Sequence, residues 1–339
     1  MASDPIPGTM RAIDPAETGG ADVLQVVERP VPQPGPGEVL IRVHAAGVNR
    51  PDVLQRMGLY PMPPGAPTIL GLEAAGEVVA LGEGVQDVRV GDAVTALVPG
   101  GAYADYCVAP AATCLPVPPG MRFAEAAGLP ETWFTVWSNL VDQGGVKQGD
   151  HVLVHGGTSG IGTTAIDLGS LLGFRVIVTC GTDGKCGAAR DLGAFASINY
   201  LDGDFAPKVL ELTGGHGVEV VLDMVGADYF PRNLACLAVG GRHVSIAFQR
   251  GARAELDLSM LMRKRLILTG SMLRPRPVAD KAAIAAQLRS RVWPAFADGR
   301  LVPHLDRSFP LEEAAAAHRH MESGAHVGKI VLTLSPSAG

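Results

Sequence analysis

The chain has 339 residues, 47% hydrophobic and 18% charged, with a formal charge of −6; this excludes disorder and a coiled coil and disfavours nucleic-acid or membrane-surface partners. Its 43 glycines, nearly twice the usual ~7%, follow no period, so tight turns rather than a collagen-like repeat are implied. Five scattered cysteines, no charged and apolar leader and no apolar run near the ~18 residues of a membrane span predict a reducing, cytoplasmic setting. Residues 1–9, rich in Pro and Gly, read as a mobile extension. From Met10 to about Pro130 short strands dominate. Val39, Ile41, Val43 and Ala45 alternate with Leu40, Arg42 and His44, and the runs Glu77–Leu81, Ala93–Val98 and Tyr103–Val108 are set off by Gly and Pro turns, of which Pro32–Gly37 is the densest. This predicts a small β-barrel-like domain. From about Trp133 strands alternate with helices: His151–His155, a Gly-rich turn, a helix to Leu172, then Arg175–Thr179, Ser197–Tyr200, Val218–Met224, Arg242–Ile246 and Leu266–Thr269. That is an α/β pattern with a doubly wound parallel sheet. A long helical run (Asp280–Phe296), a helix (Leu311–Met321) and a last strand (Lys329–Leu334) do not extend the alternation and are assigned to the first domain, giving boundaries of 10–132 with 275–339, and 133–274.

The strongest local signal is His155-Gly156-Gly157-Thr158-Ser159-Gly160-Ile161-Gly162, directly after an apolar strand and opening a helix. Glycines let the backbone approach phosphates, and the free N–H groups of a helix N-terminus supply donors and a favourable dipole, so a dinucleotide pyrophosphate is expected there. The spacing is G-x-x-G-x-G rather than G-x-G-x-x-G. The end of the second strand, Thr179-Cys180-Gly181-Thr182-Asp183-Gly184-Lys185, lacks an acid where NAD enzymes bind the ribose 2′-hydroxyl, and Thr182 and Lys185 stand where a 2′-phosphate is met. Asp183 argues the other way unless it points to solvent, and Lys185 also reads as an ordinary surface lysine.

At these motifs the chain resembles the medium-chain dehydrogenase/reductase superfamily, from Met10 to Leu334. Gly47-Val48-Asn49-Arg50-Pro51-Asp52, Gly71-Leu72-Glu73-Ala74-Ala75-Gly76, Gly91-Asp92, Gly156 to Gly162 and Gly328-Lys329-Ile330-Val331-Leu332 look like its zeta-crystallin-like quinone oxidoreductases. Arg56 to Tyr60, Pro63 to Ala66 and Ser271 to Arg274 are similar to the tumour-suppressor-inducible quinone reductase branch. The resemblance implies a GroES-like β-rich domain beside a Rossmann domain, NADPH as cofactor and a homodimer joined through edge strands near Leu266–Gly270.

Zinc enzymes of that superfamily carry a cysteine where Asn49 stands and a Gly-His-Glu where this chain has Gly71-Leu72-Glu73, so no metal is expected. Glu73 then reads as a buried acid bracing the cleft between the domains. The resemblance assigns Tyr60 as hydrogen-bond donor to the acceptor oxygen and Asn49 to orienting substrate or water, although a loop tyrosine remains an alternative for Tyr60. It also places Tyr200 and Ser159 at the cofactor phosphates, Thr135, Ala247, Phe248, Ser271 and Met272 around the nicotinamide, and Lys329 with the cofactor contacts. Asp223 reads equally as a ligand-side acid or a turn cap, and His155 and His44 as structural. The expected reaction is reduction of quinones by NADPH. Reduction of α,β-unsaturated carbonyls, or low-turnover cofactor binding of the crystallin kind, are the alternatives.

Overall fold

The computed structural model describes residues 5–60 and 62–334, and the chain divides into two compact units, Met1–Phe134 with Arg274–Gly339, and Thr135–Leu273. In the first unit the chain runs through β1 (Thr9–Ile13), β2 (Val26–Pro30), β3 (Glu38–Val48), β4 (Glu73–Leu81), β5 (Ala93–Leu97), β6 (Tyr106–Pro110) and β7 (Cys114–Pro116). The second unit holds β8 (His151–His155), β9 (Arg175–Cys180), β10 (Ala196–Asn199), β11 (Val218–Asp223), β12 (Leu237–Ser245) and β13 (Ile267–Gly270), and the chain returns to the first with β14 (Leu305–Pro310) and β15 (Lys329–Thr333).

β3 organises the first unit. It pairs antiparallel with β4, β6 and β15, inside a sheet of order β14-β15-β3-β4-β5-β7. Both of its faces are covered: Val39, Ile41 and Val43 enter the main core with Ile13, Val78 and Ile330, while Leu40 packs with Met10, Ala12 and Val31 of the β1–β2 ribbon. Each such aliphatic side chain contributes ~1.5–3 kcal/mol by burial. Register shifts at Leu40/Ile41 and Val43/Ala45 bend the strand, as bulges do. Farther along, Ala45 pairs with Ala75 and Ala46 with Ala74, and the small residues admit Ala126 and Ala127 against the sheet.

The second unit is a six-stranded sheet of order β10-β9-β8-β11-β12-β13, parallel at every pair. This is the 3-2-1-4-5-6 order of a doubly wound nucleotide-binding sheet, whose ligands collect at the carboxyl ends of the strands. Helices Gly160–Leu172, Asp183–Asp191 and Tyr229–Cys236 follow β8, β9 and β11.

Two expectations are corrected. The extension is shorter than residues 1–9, because Thr9 pairs with Pro30 in β1–β2 and the Gly8 carbonyl accepts from Val31 N–H at 3.1 Å; residues 1–4 lie outside the described residues. The helical run Asp280–Phe296 is two helices, Val278–Arg291 and Trp293–Ala297, with Pro294 in the first turn of the second. Proline has no N–H for the continuing ladder and clashes with the preceding turn, so the chain must restart at Val292.

Candidate functional site

In the second unit the geometry is dictated by backbone. A Cβ on Gly157 would lie 2.5 Å from the Val178 side chain of β9, and one on Gly162 would lie 2.5 Å from the carbonyl oxygens of Gly156 and Gly157. No side chain fits at either position, so the backbone there leaves room for a ligand at the helix N-terminus; the N–H groups of Gly157 and Ser159 are themselves taken by the Thr179 and Gly156 carbonyls at 3.0 and 2.9 Å. Ser159 caps the helix Gly160–Leu172 by accepting from Gly162 N–H at 3.2 Å, and its hydroxyl donates to the Gly156 carbonyl at 2.7 Å. Gly160 and Ile161 form the first helical turn.

The ends of β9 and β10 meet beside this loop. Thr182 caps the helix Asp183–Asp191, its hydroxyl oxygen accepting from Lys185 N–H at 3.2 Å. The Tyr200 hydroxyl lies so close to Gly181 that a Cβ there would come within 2.6 Å of it. Asp183 is exposed, and its Oδ1 accepts from Asn199 Nδ2 at 2.9 Å. Three aromatic and cationic neighbours escaped the sequence reading. Tyr229 meets Tyr200 edge-on at 6.3 Å, and the guanidinium groups of Arg232 and Arg250 lie 4.3 and 5.3 Å from the Tyr229 ring.

Toward β13, Asn139 joins two expected nicotinamide-side residues. Its Nδ2 donates to the Thr135 carbonyl at 2.8 Å and its Oδ1 accepts from Ser271 Oγ at 2.8 Å. Asn139 lies in a π-helical segment, Trp137–Gln143, a form that often marks functional sites; its sequence signal was a buried amide in the apolar run Phe134–Leu140. Phe248 and Met272 are exposed, large and apolar, and Ala247 is half-buried. Asp223 is a turn cap: its Oδ1 accepts from Val225 and Gly226 N–H at 2.7 and 3.2 Å. Burial opposes its charge, but His243 and those N–H groups outweigh it and hold the carboxyl below its usual range. His155 is wholly buried between Thr179 and Asn233, kept neutral by desolvation, and His44 stacks on Phe123 at 4.4 Å.

The first unit gathers side chains from four distant segments. Asn49 closes β3 and opens the helix Arg50–Arg56, its backbone N–H donating to Asp52 Oδ2 at 2.8 Å. The buried Asn49 amide is gripped at both ends: Nδ2 donates to Glu73 Oε1 at 2.8 Å and Oδ1 accepts from Lys329 Nζ at 2.6 Å. Lys329 also reaches Glu73 Oε1 at 2.8 Å and the Val48 carbonyl at 3.2 Å. Three acceptors meet its three ammonium hydrogens, so Lys329, expected among the cofactor contacts, organises this cluster. Glu73 is wholly buried and takes Glu131 N–H at 2.7 Å on Oε2. A buried charge pair of this kind persists only when its remaining polar atoms are satisfied, as here.

Asp52 lies beneath. Burial pushes its carboxyl up to about 7, against the Asn49 N–H and the Lys329 charge. It also accepts from Gly71 N–H at 3.2 Å and from the Tyr103 hydroxyl at 3.2 Å, and Tyr103 meets His318 Nε2 at 3.2 Å. Desolvation lowers His318 to about 3, so the ring is neutral; with Tyr103 donating to Asp52, Nε2 carries the proton and the buried Nδ1 lacks a partner among the described residues.

Tyr60 belongs to a separate group. The Arg274 guanidinium lies 5.5 Å from its ring, and is held by the Pro99 carbonyl and Gln55 at 2.9 Å each. Burial raises the Tyr60 hydroxyl above its ordinary value, so it stands as a neutral donor. The structure records no contact between Tyr60 and Asn49. Among the described residues no three His, Cys, Asp or Glu side chains are grouped as a metal ion requires, and no helix is long and apolar enough to cross a membrane.

Residues 35–119 match the alcohol dehydrogenase GroES-like domain, and residues 192–332 match the family described as zinc-binding dehydrogenase. A 2-haloacrylate reductase from Burkholderia is 36% identical, the match covering 93% of this chain and 96% of that protein. A quinone oxidoreductase from Pseudomonas aeruginosa is 33% identical over 94% of this chain and 97% of its own length. The chain also matches, at 34% identity, a polyketide synthase subunit of Mycobacterium tuberculosis, of whose length it spans 14%. A mycobacterial protein solved with NADPH superposes with a TM-score of 0.85 at 36% identity, covering 96% of this chain and 100% of that one. The chain belongs to the medium-chain dehydrogenase/reductase family, in its zeta-crystallin-like quinone oxidoreductase group.

Proposed function

We propose that the chain is an NADPH-dependent quinone reductase. The observation that carries this reading is the cradle after β8, closed to any side chain at Gly157 and Gly162, with Thr182, Lys185 and Tyr200 beyond the neutral end of β9. The helix N-terminus at Gly160 and Ile161, with Gly157 and Gly162 leaving room for it and Ser159 beside it, would hold the pyrophosphate, Thr182, Lys185 and Tyr200 the 2′-phosphate, and Thr135, Ala247, Phe248, Ser271 and Met272 the nicotinamide end. NADPH supplies hydride when bound. Tyr60 donates its hydroxyl hydrogen bond to the acceptor oxygen as negative charge develops there, and the Arg274 cation beside its ring favours that charge. Asn49, clamped by Glu73 and Lys329, offers its remaining amide hydrogen in a fixed direction.

Zinc does not fit this donor set. Asn49 and Leu72 stand at two of the ligand positions, and the Asn49 amide is occupied at both ends. Reduction of α,β-unsaturated carbonyls is the second reading, favoured by the likeness to the 2-haloacrylate reductase. A homodimer through β13 also belongs to this proposal, since β13 is an edge strand and its Ile267 is exposed; light scattering at micromolar concentration should give twice the chain mass. For the activity, NADPH oxidation is followed with an ortho-quinone, with an enone and with no acceptor. Rapid oxidation with the quinone and none without acceptor is expected, faster turnover of the enone transfers the assignment to the second reading, and inactivity with both contradicts it.

A further inference from the structure

Reduction by hydride also consumes a proton, and one carboxyl group of the first unit is placed to supply it. Glu131 stands in the first turn of the helix Pro130–Val136 and is anchored through its backbone N–H to Glu73 Oε2, the carboxylate that also holds Asn49 and Lys329. Its own carboxyl is half-buried and makes no hydrogen bond or ion pair among the described residues. The charges around it come from several elements: Glu73 on β4, Asp52 on the helix Arg50–Arg56, Lys329 on β15, Lys281 on the helix Val278–Arg291 and the Arg274 guanidinium before that helix, and the Tyr60 hydroxyl senses Glu131 in turn. Burial, followed by repulsion from Glu73, pushes the carboxyl up to about 8, with the two ammonium groups only partly offsetting this. At neutral pH it stands as a carboxylic acid. Asp52 is also raised, but the N–H groups of Asn49 and Gly71 and the Tyr103 hydroxyl enclose it, so it has no outward route for a proton.

We propose that Glu131 is the proton donor to the acceptor that Tyr60 polarises, an inference that rests on the reductase reading. A quinone that has taken up hydride, and with it two electrons, at one oxygen is left as an anion at the other. The Glu131 O–H bond breaks, its proton forms the O–H bond of the hydroquinone, and the electron pair stays on the carboxylate, where Lys329 and Lys281 stabilise it. Water then returns the proton. In an enone, hydride adds at the β-carbon and the same proton is taken up by the enolate.

The test compares the wild-type chain with Glu131→Gln, which keeps size and the backbone anchor, and with Glu131→Asp, which keeps an acid on a shorter arm. Turnover is measured through the interval around pH 8 with a quinone and an enone, beside NADPH titration and infrared titration of carboxylic-acid groups in the protein without cofactor. Wild-type kcat should fall about tenfold per pH unit above the acid's titration. Glu131→Gln should lose about 100-fold in kcat and its alkaline limb, keep its NADPH affinity, and lack one carboxylic-acid band that wild type loses near pH 8. Glu131→Asp should regain a limb at reduced kcat. An unchanged limb and rate in Glu131→Gln, or no band removed by the substitution, overturns the role of Glu131 and leaves the reductase reading standing. A wild-type chain inactive with both acceptors removes the reductase reading, and this inference with it.

Discussion

The two units build their polar sites by opposite means. Around β8 to β10 the second unit uses backbone: glycines that admit no side chain, helix N-termini, and two hydroxyl caps, Ser159 in the loop and Thr182 after the next strand. The first unit uses the side chains of Asn49, Glu73 and Lys329, far apart in sequence, locked to one another by a buried ion pair and two hydrogen bonds and tied to the main chain at Glu131 and Val48. A site made of backbone loses function when a residue grows. One made of paired charges loses stability when a residue is neutralised.

The largest effect expected from this contrast is at Lys329. Lys329→Met leaves the Glu73 carboxylate buried without its cation, and breaking a buried pair on one side costs about 3–5 kcal/mol. Chemical denaturation should show a loss of that size for Lys329→Met and a smaller one for the double variant with Glu73→Gln, which removes both charges. Equal losses would mean that the pair is not coupled.

Gly162→Ala comes next. Its new Cβ meets main-chain carbonyl oxygens that cannot rotate away, and overpacking of this kind costs about 1–3 kcal/mol. The expected result is NADPH affinity weakened at least tenfold in a titration, with the first unit's packing unaltered. Unchanged affinity would deny the cradle its role.

The smallest effect is in the pH dependence of stability. Asp52 and Glu131 have folded-state values raised to about 7 and about 8, so the folded chain binds more protons than the unfolded one and their contribution is lost as pH rises through those values. His318, held to about 3 by desolvation, works oppositely, but only below the ordinary histidine value of 6.5. Between that value and pH 8 the carboxyls therefore act alone among these groups. Thermal melting should decline with pH across this window in wild type, and less steeply in Glu131→Gln.

The contrast also explains how much was legible in the sequence. β8 was read as His151–His155 and its helix to Leu172, the bounds observed, because a strand, a steric loop and a helix lie within one short stretch. Thr182 was named from its place after a strand end, and Asn49, Tyr60, Glu73 and Tyr200 were named by resemblance. Glu131 and Asn139 carry only a weak local signal, polar side chains beside Thr132 and Ser138 in a largely apolar stretch, and their importance arises from partners 58 and 132 positions away. For Lys329 likewise the sequence gives the charge but not the three acceptors that surround it. The proline break at Val292 was legible in Pro294 and was overridden by the helical period around it.

The most direct test of the division between the units sets Lys185→Ala beside Tyr60→Phe, with NADPH and NADH titrations and quinone turnover measured for both. Lys185→Ala should weaken NADPH about tenfold or more, narrowing its advantage over NADH, because a charge-assisted hydrogen bond contributes about 1.5–3 kcal/mol, and should leave kcat unchanged at saturation. Tyr60→Phe should leave both dissociation constants unchanged and lower kcat roughly tenfold, a donor lost from an acceptor that is easily reduced. Equal affinities for NADPH and NADH in the wild-type chain, or a Tyr60→Phe variant altered in cofactor affinity rather than in turnover, would contradict the account.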